Sequence, residues 1–159
     1  MSSSLPLPFT ARVIAAAVTE SVQAARAADA AAFDEATARL ATLDREQVRV
    51  LLGSVIRSLL EELHPGGLDG DDLQAVVERC TRSTAGWFTV DPGVLVVVLI
   101  SALGAADPDA LAHPPQPADV TRHAVVVAAD LLTAARRSLA PALTTAFTEL
   151  RRAETLEHP

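Results

Sequence analysis

Residues 91–104, Asp-Pro-Gly-Val-Leu-Val-Val-Val-Leu-Ile-Ser-Ala-Leu-Gly, decide how this chain is read. From Val94 to Ile100 every residue is apolar, so a helix built from them has no face suited to water. Asp91 is a good N-cap, Pro92 suits the first helical position, and Gly104 supplies a terminator. The run is far short of the ~20 residues that span a bilayer. A strand competes, because Val94, Val96, Val97, Val98 and Ile100 are β-branched. A strand needs a partner, however, and the only other rich segment is Val125 to Val127, set among alanines. With caps at both ends, the stretch predicts a helix buried at the centre of an all-α fold, with Val97 deeply enclosed.

Working outward, the same reading gives a single-domain helical bundle of about six or seven helices around the buried apolar helix 92–103. The 159 residues suffice for one real core, and 31 of them are alanine, the strongest helix former. Tyr, Asn and Lys are absent and all 13 basic residues are arginine, a bias typical of a high-GC bacterial genome. Without lysine there is no P-loop lysine, Schiff base or amine general base. Without asparagine, left-handed helix ends are expected to fall to glycine. The single Cys80 excludes an internal disulfide and a multi-cysteine zinc site, and suits a reducing cytoplasm.

Net charge is −7, and residues 64–119 carry 2 arginines against 8 acids. No basic field is concentrated for nucleic acid or for an anionic membrane surface, so neither partner is expected. The N-terminus has an apolar patch but no positive region ahead of it, the wrong order for a signal peptide. A cytoplasmic protein follows as the expectation.

Residues 1–8 read as a flexible lead-in. Ile14, Val18, Val22 and Ala25 then share one helical face, and Asp29 opens a second helix with Phe33, Ala36, Leu40 and Leu43 inward. Asp44 with Gln47 resembles a capping box before a broad stripe from Val48 to Leu63, which His64-Pro65-Gly66-Gly67 stops. Asp69, Asp71 and Asp72 crowd the first turn of the next helix, where Leu73, Val76, Val77, Cys80, Thr84, Trp87 and Phe88 fall on one side. Residues 105–118 form a proline-rich connector, read as a surface crossover in preference to a mobile lid. From Asp119, Val120, Ala124, Val127, Leu131 and Ala134 line one face, while Val125, Val126 and Leu132 lie beyond it. Pro141 breaks this pattern, Ser138 is a plausible new cap, and residues 154–159 read as a frayed tail.

The constellations that carry chemistry are few. Taken as a calcium loop, Leu68-Asp69-Gly70-Asp71-Asp72 lacks acids at alternating positions and puts Cys80 where the glutamate belongs. Helix capping accounts for the same acids. His64, His113, His123 and His158 include no pair at helical ligand spacing, so no metal and no cofactor is expected. There is no nucleophile elbow, and Cys80 sits on an apolar stripe, as a small buried hydrophobe does. Adjacent acids Glu61-Glu62 and Asp71-Asp72 point about 100° apart on a helix and form no dyad. Arg136-Arg137 and Arg151-Arg152 align only if the chain runs straight past Pro141.

No catalytic residue is therefore assigned, and an enzyme using Asp, Glu or His ranks third among the function classes. The leading reading is a self-associating interaction or assembly protein, most simply a homodimer, with Leu139, Leu143, Phe147 and Leu150 as its seam. The alternative is a module that binds a small apolar ligand, or a protein partner, between helices. Its pocket is expected near Trp87 and Phe88, the only adjacent aromatics.

Overall fold

Four aspartates start four helices. The Asp29 carboxylate accepts from the Ala32 amide at 3.1 Å, Asp44 from Gln47 at 3.0 Å, and Asp91 from Gly93 at 2.9 Å. Asp69 and Asp72 accept from each other's amides at 2.9 and 3.0 Å, a reciprocal capping box. The acids that mimic a calcium loop are thus engaged at a helix start.

In the computed structural model, which describes residues 9–105 and 111–157, these starts organise an all-helical, single-domain bundle. The helices are α1 (Phe9–Arg26), α2 (Ala30–Leu40), α3 (Arg45–Leu63), α4 (Gly70–Ser83), α5 (Pro92–Ala102), α6 (Pro117–Ala135) and α7 (Leu139–Glu157). Among the described residues there is no strand, and no helix is long and apolar enough to cross a membrane.

The axis of the bundle is α6. It packs against α1, α2, α3, α4 and α5, and the seven consecutive residues from His123 to Ala129 are all buried. Ala124, Ala128 and Ala129 let neighbouring backbones approach, and Val125, Val127 and Leu131 are fully enclosed. On the predicted face Ala124, Val127 and Leu131 are buried, Val120 is half-buried and Ala134 is exposed, while Val125, Val126 and Leu132 beyond it are all buried within the chain.

The expected central helix, α5, lies instead at the edge. Val94, Leu95, Val98 and Leu99 are buried, but Val96 is 42% exposed and Val97 and Ile100 are only half-buried. At 11 residues α5 is about 16 Å long, too short to serve as an axis for partners of 18 or 19 residues. It meets α3, α4 and α6 on one side and leaves the other to solvent.

The expected dimer seam is also internal. Leu139, Leu143 and Phe147 are buried and Leu150 is half-buried, in a core where α7 packs on α3. Pro141 does not break α7, because it occupies the third residue, where the amide has no intrahelical acceptor. The break comes earlier, at Arg136 with φ 54°. Arg136 and Ala28 both adopt the left-handed conformation expected of glycine at a helix end. At Ala28 the turn is closed by the Asp29 amide donating to the Ala24 carbonyl at 3.0 Å.

Helix α6 begins at Pro117, inside the expected connector, and α7 runs on to Glu157 through most of the expected tail. Residues 1–8, with the predicted lead-in, and His158 lie outside the described residues.

Candidate functional site

A cavity opens beside the first half of α3. It has a volume of about 420 Å³ and is walled by α3, α5, α6 and α7, with Gly104, Pro115 and Pro117 at one edge. That volume falls within the usual range of small-molecule sites, roughly 300–1,000 Å³. Its floor is apolar: Leu52 and Ile56 from α3, Val98 and Ala102 from α5, Val120 and Ala124 from α6, and Leu150 from α7.

Gly53 makes room for it. It lies in the middle of α3, and a Cβ built there meets nothing within 4 Å. Glycine inside a helix costs roughly 0.5–1 kcal/mol relative to alanine, so this position gives up local stability and leaves space. The residues four before, eight before and four after it, Arg49, Arg45 and Arg57, also line the cavity. Residues four apart on a helix lie one above another, so the arginines share an edge with Gly53.

The polar atoms around the cavity are mostly matched. Arg49 donates to both carboxylate oxygens of Glu46, at 2.7 and 2.9 Å. Ser54 donates to Glu149 at 2.7 Å across the α3–α7 contact, and Thr121 donates to the Pro117 carbonyl at 3.1 Å. Ser101 is different: its hydroxyl oxygen is buried and has no hydrogen-bond partner among the described residues. A buried polar group left unpaired costs about 1–3 kcal/mol, so it is a feature to be explained.

Trp87 and Phe88 do not line this cavity. With Phe33 they form an aromatic knot, the Phe33 ring standing edge-on 5.2 Å from Trp87 and 5.3 Å from Phe88. Phe33 is fully buried, and the Trp87 indole donates to the Ser83 carbonyl at 3.0 Å. The aromatics therefore plug the junction of α2, the end of α4 and α6.

The knot continues into His123, 5.2 Å from Phe88. This imidazole is buried in α6, with Nδ1 2.7 Å from the Asp119 carbonyl and Nε2 accepting from the Asp91 amide at 3.0 Å. Both ring nitrogens are engaged by backbone, which makes His123 a clasp holding the start of α5 onto α6. His64 sits 3.7 Å from Asp72, and His113 lies exposed in the connector. Among the described residues no group of three or more His, Cys, Asp or Glu is placed to hold a metal.

Cys80 is fully buried, and its thiol is pushed up to about 12 by burial first and then by the nearby Asp130 carboxylate, against a lowering by Arg79. It stays a thiol at neutral pH and is no nucleophile. Arg79 holds Asp130 at 3.0 Å, tying α4 to α6. Arg137 pairs with Glu62, anchoring the α6–α7 corner to α3, and the break at Arg136 removes any straight row with Arg151-Arg152.

Sequence reasoning missed Gly53 and Ser101. The available signal was an isolated glycine inside a strongly periodic helix, a position that calls for a packing or functional reason. No family model, curated protein or solved structure matches the chain.

Proposed function

We propose that this protein is a non-catalytic binding module that holds a small, largely apolar molecule in the groove among α3, α5, α6 and α7. The observation that carries this reading is the 420 Å³ apolar cavity at whose wall a mid-helix glycine leaves open space. Nile red fluorescence tests it. The wild type is expected to enhance the dye's emission, and Gly53→Leu, which fills the groove from its wall, is expected to abolish the enhancement while keeping its helical circular dichroism. Equal enhancement in a folded Gly53→Leu protein, or none in the wild type, would overturn the reading.

Self-association is the second reading, moved from α7 to the outer face of α5. It is carried by the exposed Val96 beside the half-buried Val97 and Ile100. Light scattering at micromolar concentration is then expected to give a mass near twice 16.6 kDa. A monomer removes it.

A further inference from the structure

We infer that His123 is a proton-operated latch on α5: protonation of its Nε2 frees the start of that helix from α6 and loosens the wall that α5 gives to the groove. Nδ1 lies 2.7 Å from the Asp119 carbonyl oxygen, which can only accept, so Nδ1 carries the proton of the neutral ring. Nε2 is then a bare acceptor, and the Asp91 amide donates to it at 3.0 Å. A second proton goes onto Nε2, the one basic site left on the ring. Two donors then face each other across that contact, and the Asp91 amide loses its acceptor. Asp91 is the N-cap of α5, so the bond that breaks is one that moors this helix at its first turn.

No charged group is placed to receive the imidazolium. His123 is buried and forms no ion pair among the described residues. On α6 itself Asp119 is exposed, Arg122 is half-buried, and Asp130 is held by Arg79 of α4. The other charged side chains of α4 are exposed or, for Asp72, beside His64, and the Cys80 thiol there stays protonated at neutral pH. All those of α1, α2 and α3 are exposed. From the start of α5 comes Asp91, whose carboxylate accepts from the Gly93 and Val94 amides at 2.9 and 3.4 Å. Turning it to the imidazolium would uncap α5, which leads to the same release. The open form therefore takes up a proton that the closed clasp does not accommodate, and acid favours opening in the range where ordinary histidines titrate, below about pH 6.5. Helix α5 is suited to respond, since it is packed on one side only, and it supplies Val98, Ser101 and Ala102 to the groove.

Hydrogen exchange of the full chain, read amide by amide by NMR, tests the latch without any ligand, so it stands or falls apart from the groove's being a binding site. Protection factors, in which the intrinsic pH dependence of exchange is divided out, are expected to stay level in α3. In α5, from Leu95 to Ala102, they are expected to fall several-fold between pH 6.5 and 5.5, with about tenfold as the ceiling for one proton. His123→Gln offers a carbonyl oxygen near the place of Nε2 and cannot titrate, so its α5 protection is expected to stay level as well. The ring nitrogen resonances of wild-type His123 are expected to show Nε2 gaining its proton in step with the loss. Level α5 protection in the wild type, or an equal fall in His123→Gln, would overturn the latch. A ring that gains its proton while α5 stays closed would overturn it too, and that reading decides alone if His123→Gln does not fold.

Discussion

Helices α5 and α6 are the two apolar segments of this chain, and they have exchanged the places their compositions suggest. Helix α5 has no charged residue between Pro92 and Ala102, yet it lies at the edge with Val96 in solvent. Helix α6 carries Asp119, Arg122, His123 and Asp130, yet five helices pack around it. Length accounts for much of the difference. The 19 residues of α6 run about 28 Å, enough to touch every neighbour, whereas the 11 of α5 do not. Chemistry accounts for the rest. Each polar group that α6 takes inside has a partner: Asp130 has Arg79, and His123 has two backbone groups. Burial of a polar residue is tolerated where its hydrogen bonds are made.

The comparison breaks most readily with a charge. Val127→Asp in α6 places an unpaired carboxylate where the side chain is fully enclosed, which is expected to cost several kcal/mol and leave the chain unfolded or nearly so. Val96→Asp in α5, at a position 42% exposed, is expected to shift stability by no more than about 0.5 kcal/mol. Urea denaturation of both variants reads the contrast directly. Equal damage from the two would put α5 back at the centre.

The dryness around α6 has a second reporter in Cys80, which faces it from α4 beside Asp130. In the unfolded chain this thiol ionises near 9, and in the fold near 12. Below pH 9 both states keep the proton and its contribution to stability is present in full. Between about 9 and 12 the unfolded chain releases the proton and the fold does not, so stability falls by about 1.4 kcal/mol per pH unit. The chain has no tyrosine and no lysine, so no other side chain has an ordinary pKa in that window. Melts from pH 8.5 to 11 should therefore fall steeply in the wild type and flatten in Cys80→Ala. The same slope in both proteins would mean that α4 and α6 admit water at this contact.

Much of the fold was legible because local signals and the final structure agree. Asp29, Asp44, Asp69 and Asp91 cap the helices they were expected to cap, and the stripe from Val48 to Leu63 is buried as its period requires as far as Leu60, with Leu63 half-buried at its end. What failed were inferences about which helix neighbours which. A run such as Val94 to Ile100 records that a helix is apolar all round, but it holds no information on how many partners will reach it. The α7 residues Leu139, Leu143 and Phe147 carry a real stripe, and only the position of α3 shows that it is satisfied within the chain. The packing of the aromatics was not legible, because Trp87 and Phe88 meet Phe33 from a helix remote in sequence. The groove was hidden for a related reason: a cavity depends on side chains that are missing, and Gly53 is visible as a site only once its empty side is known.

The smallest expected effect bears on that groove, which α5 and α6 border from opposite roles, one as an edge wall and the other as the axis beneath. Gly53→Ala adds a single methyl to α3 where nothing lies within 4 Å. It removes the entropic cost of glycine inside a helix and is expected to stabilise the fold by roughly 0.5–1 kcal/mol, raising the midpoint of thermal unfolding by about 2–3 °C. The gain requires that the wall be open on this side. If α5 instead closed over α3 as a central helix would, the added methyl would meet packed atoms and the melt would fall. A lower midpoint for Gly53→Ala would therefore count against the cavity and against the edge placement of α5 together. A higher one would show that the chain retains glycine there at a cost to its own stability, which is the behaviour expected of a position kept for function.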